Sequence, residues 1–254
     1  MTDSAALSAP VAILGSGLCI PDKDVATGLG FADAGLDASI LAPMVRRRTS
    51  TATRVAITAA GRACAAAGND HQLPAIFVSA VGEMQVTDKL CRSISRQEYP
   101  LSPTLFHNSV HNTAAGYWSM ATGSMASMQA MGALQDSFAL GLLEAWCQLQ
   151  TIAKQVLLVI YDEAMPEQLL PDYTWKACAF ALVLDRDARD YPLLHRPFQA
   201  SAATPARPVT DFPASNPAMA ALPLLQTLQQ ASSGRQQITL SSGTRPWLID
   251  MVMP

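Results

Sequence analysis

One segment of the chain has the order of elements that catalytic turns use. Residues 127–131 form a short, mostly apolar segment that Gly132 follows. Residues 136–150 are apolar enough for a buried helix. A strand, a sharp turn and a helix are therefore predicted, and the residue before the helix meets the positive end of the helix dipole. A thiolate or an oxyanion is stabilised at such a position. The residue there is Gln135, so the segment is either an ordinary turn or a turn whose nucleophile has been replaced.

Another side chain must act as the nucleophile if this turn belongs to an enzyme, because glutamine has no nucleophilic atom. Ser137 lies two residues beyond Gln135, and Cys147 lies in the middle of the predicted helix. Ser137 is expected to face away from the turn, and an apolar setting is expected to keep the Cys147 thiol protonated. An independent enzyme that uses one of these two residues is the alternative left open here.

Three motifs that could bind phosphate, metal or an acidic partner are incomplete. Gly15-Ser16-Gly17 lacks the third glycine of a dinucleotide loop, since Ile20 stands there, and a tight exit from a strand is expected instead. His107 and His111 have helical spacing without the glutamate base of zinc proteases, so hydrogen bonding in a loop is expected. The run Arg46-Arg47-Arg48 is expected at the surface, where it could contact an acidic carrier. No metal and no cofactor are predicted.

Strands alternate with helices along much of the chain, which predicts an α/β fold. Strands are predicted at residues 11–14, 74–80, 127–131, 155–161 and 177–184, and helices at residues 51–67, 85–97, 112–122 and 136–150. The apolar runs at 155–161 and 177–184 are typical of central parallel strands. After a proline-rich stretch at 196–223, short elements are predicted at residues 218–230, 237–240 and 247–251.

The composition excludes several classes of protein. Lysine and arginine number 17 against 20 aspartates and glutamates, a net charge of −3, which disfavours a general nucleic-acid binder. Apolar residues make up 50% of the chain and charged residues only 15%, so a folded chain that covers part of its surface with a partner is predicted. The sequence has no apolar run of membrane-spanning length, no secretory signal and only scattered cysteines, which together predict a cytoplasmic protein.

Residues 102–123, with the sequence SPTLFHNSVHNTAAGYWSMATG, resemble the β-ketoacyl synthase-like N-terminal family. They resemble in particular the short chain-length-factor-like proteins of aryl polyene pathways. The core of the motif, Asn112–Gly116, matches the helix that precedes the catalytic strand of ketosynthases, and the cysteine position of that family then falls on Gln135. The resemblance covers about residues 10–186 and includes further matches at Gly15, Gly17, Pro21, Glu144 and Ala145.

This resemblance implies a thiolase-like α/β fold in which the chain is mostly one half, the N-terminal type, of a ketosynthase. It divides the chain into a flexible tail at 1–9, a ketosynthase-like half domain at 10–186, and a linker with a short C-terminal extension packed on that domain at 187–254. The half that supplies two catalytic histidines in ketosynthases is then largely absent, and His195 lies in no matching motif.

Glutamine at the nucleophile position occurs in chain length factors and in loading ketosynthases that decarboxylate malonyl groups, and the second role also requires the histidines. The resemblance therefore implies a non-catalytic chain length factor in aryl polyene synthesis. Such a subunit pairs with a full-length ketosynthase, shapes its acyl tunnel, and meets the acyl carrier protein only indirectly. The alternatives are a homo-oligomeric acyl-binding module and a residual acyl-transfer or malonyl-decarboxylase activity.

The resemblance also implies which residues form the interface or the tunnel. They are Asn112, Gly116, Tyr117, Trp118, Met120, Met125, Met128 and Met131. Tyr117, Trp118, Met120 and Met128 are the candidates to limit chain length by steric clash. Plain core packing is the alternative for each of these apolar residues.

Overall fold

Nine strands form one continuous sheet within the residues that the computed structural model describes, which are 9–69, 71–169, 175–201, 216–230, 233–241 and 245–254. The strands are β1 (Val11–Cys19), β2 (Ala75–Val78), β3 (Met128–Met131), β4 (Gln155–Asp162), β5 (Cys178–Asp185), β6 (Leu193–Leu194), β7 (Phe198–Gln199), β8 (Gly234–Thr239) and β9 (Trp247–Met253). The helices are α1 (Lys23–Gly28), α2 (Pro43–Arg46), α3 (Thr51–Ala66), α4 (Met84–Ser95), α5 (Pro103–His107), α6 (Thr113–Thr122), α7 (Ser137–Thr151) and α8 (Leu222–Gln230). Short 3-10 turns at Leu134–Asp136 and Pro217–Ala221 precede α7 and α8. The α/β prediction is confirmed.

The strand order of the sheet is β3-β2-β4-β5-β1-β6-β9-β7, with β8 also paired to β9. β2 is parallel to β3 and β4, whereas β5 is antiparallel to both β4 and β1. The expectation that the apolar run at 177–184 is a parallel strand is therefore wrong. A strand that is buried on both faces needs apolar residues whether it is parallel or antiparallel to its neighbours. The apolar sequence at 177–184 therefore did not show the direction of β5.

Helices cover both faces of this sheet. Alternate residues of β4 point to opposite faces, so Val156 and Leu158 pack in one cluster while Leu157 and Val159 pack in the other. The first cluster also contains α7, α8 and the 3-10 turn before α8, and the second contains α3 and α6. No helix among the described residues is long and apolar enough to cross a membrane.

β1 continues as far as Cys19, so the two glycines of the Gly15-Ser16-Gly17 motif lie inside a strand. Neither a phosphate loop nor a tight strand exit forms there. A Cβ atom on Gly17 would lie 2.0 Å from the carbonyl oxygen of Ala59, and one on Gly15 would lie 2.6 Å from that of Ala63. Glycine is required at both positions because the backbone of α3 packs directly against β1.

Two elements near the motif of residues 102–123 differ from expectation. Residues 103–107 form α5 instead of a loop, because Ser102 caps the helix by accepting from the Leu105 amide and Pro103 suits the first turn. β3, which was expected to be buried, is the edge strand of the sheet and is only partly covered. The apolar side chains of β3 thus have open surface on one side.

The predicted tail lies outside the described residues as far as residue 8, and so do residues 202–215 of the proline-rich stretch. The described C-terminal elements pack on the rest of the fold: β6 and β9 extend the sheet beyond β1, and α8 joins α7 on one face. The division of the chain into domains stays a prediction.

Candidate functional site

The turn between β3 and α7 forms the predicted elbow. The chain passes through Gly132 and Leu134, whose φ of 50° is left-handed, and enters α7 at Ser137. The hydroxyl of Ser137 accepts a hydrogen bond from the Ala133 amide at 2.9 Å and donates one to the Leu134 carbonyl at 2.7 Å. Bonds within the chain itself therefore fix the shape of this turn.

Gln135 lies in this turn, two residues before α7 begins at Ser137, and its side chain is exposed. Among the described residues its side-chain amide makes no hydrogen bond. That amide can donate two hydrogen bonds and accept others, and it lies near the positive end of the α7 dipole. The site can therefore bind a polar group from a ligand or a partner chain, but Gln135 has no atom that attacks an acyl group.

The two alternative nucleophiles are unsuited to catalysis for different reasons. Ser137 is fully buried, and its hydroxyl is used in the two bonds that close the turn. Cys147 is exposed, which corrects the expectation of an apolar setting. Partial desolvation and the neighbouring Glu144 carboxylate nevertheless raise the pKa of the Cys147 thiol above its ordinary value. Its thiolate is disfavoured at neutral pH.

Cys147 should therefore react slowly with alkylating reagents although it is exposed. We expect iodoacetamide at pH 7 to label it more slowly than free cysteine, with a rate that rises as the pH approaches the thiol pKa. Mass spectrometry of the folded chain, with Cys147→Ser to assign the modified peptide, measures that rate. Labelling at pH 7 that is faster than that of free cysteine would instead identify an activated thiol.

β3 leaves one of its backbone edges unpaired within the described chain. The carbonyls of Ser127 and Met131 accept hydrogen bonds from Ala75 and Ser79, so these alternate residues face β2. Successive residues of a strand point their backbone N–H and C=O groups to opposite sides. The backbone N–H of Ala130 therefore points away from β2, toward the open edge. An open edge of this kind is a template for pairing with a strand of another chain.

The helix before β3 presents three of the predicted interface residues on one exposed stripe. Asn112, Gly116 and Met120 are four residues apart, and each is exposed. Met125, in the connection to β3, is 93% exposed, the largest value among the apolar side chains of the described residues. These four positions are available to a partner.

The other four predicted residues contribute less to the surface. Met128 and Met131 are half-buried and pack against opposite sides of the sheet. Tyr117 is buried, and its hydroxyl donates to Oδ1 of Asn108 at 2.9 Å. Trp118 is fully buried, with its ring edge-to-face with His71 at a centroid distance of 5.3 Å. In the isolated chain Trp118 is a core residue.

Sequence reasoning missed three exposed apolar residues in the same part of the fold. Phe106 is 69% exposed, Leu134 is 68% exposed and Val110 is 50% exposed. Leu134 precedes Gln135, and Phe106 and Val110 lie on α5 and in the segment that connects it to α6. Single apolar residues on a surface need no explanation, but several of them in segments that precede and follow β3 favour an interface.

The two histidines with helical spacing lie in different local settings. His107 ends α5 and is exposed, whereas Nε2 of His111 lies 3.0 Å from the carbonyl oxygen of Ser79. His111 also packs against Gly132, where a Cβ atom would lie 3.2 Å from Nε2. Its ring thus connects the segment before α6 to the elbow. Among the described residues, no group of three or more histidine, cysteine or acidic side chains is arranged to hold a metal ion.

A cluster of buried carboxyl groups lies where β2 and β4 end, and the sequence analysis missed it. Asp162 accepts hydrogen bonds from the Ser79 hydroxyl at 2.6 Å and from the Ala80 amide at 3.1 Å. Glu163 accepts from the Ala52 amide, in the first turn of α3, at 3.2 Å. Burial raises the pKa of Asp162 to about 7 and that of Glu163 to about 7. These bonds tie the ends of the strands to α3 and to the loop before α4.

The raised pKa values of this cluster predict that the chain loses stability as the pH rises. Between the ordinary carboxyl pKa of about 4 and the folded value of about 7, the folded chain binds more protons than the unfolded chain, so unfolding becomes easier with rising pH. We expect the melting temperature to fall by about 5 °C or more between pH 5.5 and pH 8. Asp162→Asn should flatten this dependence, and Asp190→Asn, at an exposed carboxyl, should not. Calorimetry across the pH series tests this, and parallel curves for the two variants would contradict it.

Solved structures of ketosynthases and chain length factors share this fold. A chain of the ketosynthase ApeO in complex with its chain length factor ApeC from Xenorhabdus doucetiae matches with a TM-score of 0.70 at 21% identity, over 94% of this chain and 98% of that chain. The ishigamide ketosynthase/chain length factor matches with a TM-score of 0.71 at 12% identity, over 97% of this chain and 100% of that chain. The synthase FabH from Pseudomonas aeruginosa PAO1 matches with a TM-score of 0.54 at 15% identity, over 96% and 98% of the two chains. The expected thiolase-like fold is confirmed.

Sequence comparison gives the family. No curated protein matches this chain significantly in sequence. The family model described as the N-terminal domain of β-ketoacyl synthase matches residues 26–248, which is most of the chain. The match includes α6, β3 and the elbow with Gln135. The chain therefore belongs to the β-ketoacyl synthase N-terminal domain family.

Proposed function

We propose that this chain is a non-catalytic chain length factor, a subunit that pairs with a catalytic ketosynthase and shapes the tunnel in which its acyl chain grows. The observation that carries the proposal is the open edge of β3, which leads directly into an elbow with Gln135 in place of a nucleophile. A chain with an association edge but no attacking group is suited to support catalysis in a partner.

The positions of the histidines support a non-catalytic role. Condensation needs groups that transfer protons near the reacting atoms. The chain has four histidines, and His195 follows β6, which β1, β5, β4 and β2 separate from β3. His111 is the histidine beside the elbow, and its Nε2 lies against a backbone carbonyl. A pair of histidines facing Gln135 is thus missing from the described residues.

The chemistry of the open surface supports a partner of the same fold. The exposed methionines Met120 and Met125 precede β3 in the chain, and methionine side chains adapt to an uneven partner surface. A ketosynthase has a corresponding edge strand that can add to β3 by backbone hydrogen bonds. Two of the matching structures are described as ketosynthases with their chain length factors, which supports the same pairing here.

The proposed specificity follows from the same surface. In the paired state, Leu134 of the elbow and Met120 of the exposed α6 stripe face the partner, and their bulk limits how far an acyl chain extends. The resemblance of residues 102–123 to aryl polyene proteins favours a polyene product made in the cytoplasm on a carrier protein that docks on the ketosynthase.

Co-expression with a full-length ketosynthase from the same genome tests the pairing. We expect affinity purification through a tag on one chain to recover both, and light scattering to give a one-to-one complex. The matched control is a ketosynthase from an unrelated fatty-acid pathway, which should not co-purify. A chain that stays monomeric with every such ketosynthase would refute the proposal, and a stable homodimer through the β3 edge would favour the acyl-binding module instead.

A further inference from the structure

A cavity of about 540 Å³ lies between the segment around α2 and the two helices α5 and α6. Its deepest walls are apolar and include Leu41 and Tyr117, both buried, with Val45 of α2 beside them. Met120 of α6 stands at its exposed rim. Cavities of this size with mostly apolar walls are typical of small-molecule sites, which span about 300–1,000 Å³.

The cavity is formed by side chains that are already fixed. Asn108, which is buried, donates from Nδ2 to the Arg48 carbonyl at 2.8 Å and accepts from the Tyr117 hydroxyl at 2.9 Å. One buried amide therefore ties together two walls that are far apart in sequence. A binding site that is formed before its ligand arrives loses less free energy to ordering on binding.

Two basic side chains and the hydroxyl of Thr104 are the polar groups that line this cavity. Arg48 and His107 line it, and both are exposed. Among the described residues, the Arg48 guanidinium makes neither an ion pair nor a hydrogen bond, and the His107 ring makes none either. A guanidinium without a partner beside apolar walls complements a ligand with an anionic head and an apolar tail.

We propose that this cavity binds a single-chain amphiphile whose head is a carboxylate or a phosphate, with the head on Arg48 and His107 and the chain against Leu41, Val45 and Tyr117. The walls of the cavity come from this chain alone, and its rim at Met120 adjoins the surface proposed for the ketosynthase. The site gives the subunit a ligand of its own, separate from an acyl chain held by a partner.

Fluorescence titration with cis-parinaric acid, a conjugated fatty acid, tests the site on the full chain. We expect saturable binding to one site, with Arg48→Gln weakening it by about tenfold or more, because a charge-assisted bond to the head is lost. Binding of the methyl ester should change by less than about twofold in the same variant. Arg47→Gln is the matched control, since Arg47 is exposed in the same run but does not line the cavity.

Two further variants test where the chain of the ligand lies. Ala121→Trp should fill the cavity and abolish binding of both the acid and the ester, and Met120→Trp at the exposed rim serves the same purpose if the first variant fails to fold. Circular dichroism checks the fold of each. Competition with dodecanoate and with dodecyl phosphate identifies the preferred head, which is the one that displaces the probe at the lower concentration. Dodecanol, which carries no charge, should need a higher concentration than either.

Three results would overturn the inference: no saturable binding, equal losses in Arg48→Gln and Arg47→Gln, or unchanged binding in both tryptophan variants. The same titration on the chain co-purified with a ketosynthase, against the ketosynthase alone, separates this site from any tunnel in the partner. Failure to pair would leave the titration of the single chain intact, so the two proposals fail independently.

Discussion

Ala130→Pro is expected to abolish association with a ketosynthase while the chain itself stays folded. The N–H of Ala130 points to the open edge of β3, so proline removes no hydrogen bond to β2 and places its ring where a partner strand would pair. Losing a ladder bond and adding a steric clash should weaken the complex by about 100-fold or more, equivalent to roughly 3 kcal/mol.

The matched control for this variant is Ala130→Ser, which keeps the N–H and the size of the side chain. Pull-down and light scattering with the co-expressed ketosynthase measure association, and calorimetry of the isolated variants measures folding. If Ala130→Pro and Ala130→Ser pair equally well, the partner does not add a strand to β3. A proline variant that unfolds would contradict the expectation that β3 accepts proline at its open edge.

Gly17→Ala is expected to unfold the chain or to destabilise it by about 3 kcal/mol or more. The added methyl group would lie 2.0 Å from the carbonyl oxygen of Ala59 and 2.6 Å from the amide nitrogen of Ala63, both on the backbone of α3. A backbone atom cannot rotate away as a side chain does, so β1 and α3 would have to separate. The loss follows from overpacking alone and needs no ligand.

Gly61→Ala provides the control because it makes the same chemical change at an open position in α3, where a Cβ atom meets nothing within 4 Å. Alanine favours a helix over glycine, so this variant should gain up to about 1 kcal/mol. Urea unfolding of both variants compares the two free energies. Similar stabilities would show that α3 can move away from β1 without cost, contrary to the packing described here.

The elements of this fold were predictable where local sequence determines them. The helix predicted at residues 51–67 is α3, and Ser50 fixes its start as the N-cap, since its hydroxyl accepts from the Thr53 amide. The direction of β5 was not predictable, because an apolar run records burial and not orientation. The length of β1 was also missed: two glycines inside nine residues read as a turn, and only the proximity of α3 explains them.

The candidate site divides in the same way. Gln135 was placed in an elbow because strand, glycine and helix follow one another in the chain. The carboxyl cluster and the cavity were missed, because each joins residues from separate parts of the chain. Asp162 meets Ser79, and Asn108 joins Arg48 to Tyr117, through contacts that no spacing rule describes. Trp118 was assigned to the interface or tunnel from the resemblance, which does not show which side of α6 the fold covers.

The position of β1 has a consequence for the order in which the chain can fold. Ala12 pairs with Asp185, and Val11 pairs with Leu194, so β1 cannot complete its pairing until β5 and β6, which lie much later in the sequence, have been made. Before β5 pairs with β1, the apolar side chains between β1 and α3 are not covered by the rest of the sheet. Folds closed by such distant pairings form slowly and expose apolar surface on the way. The core between β1 and α3 is therefore completed only after β5 has been made, although β1 and α3 lie close together in the sequence.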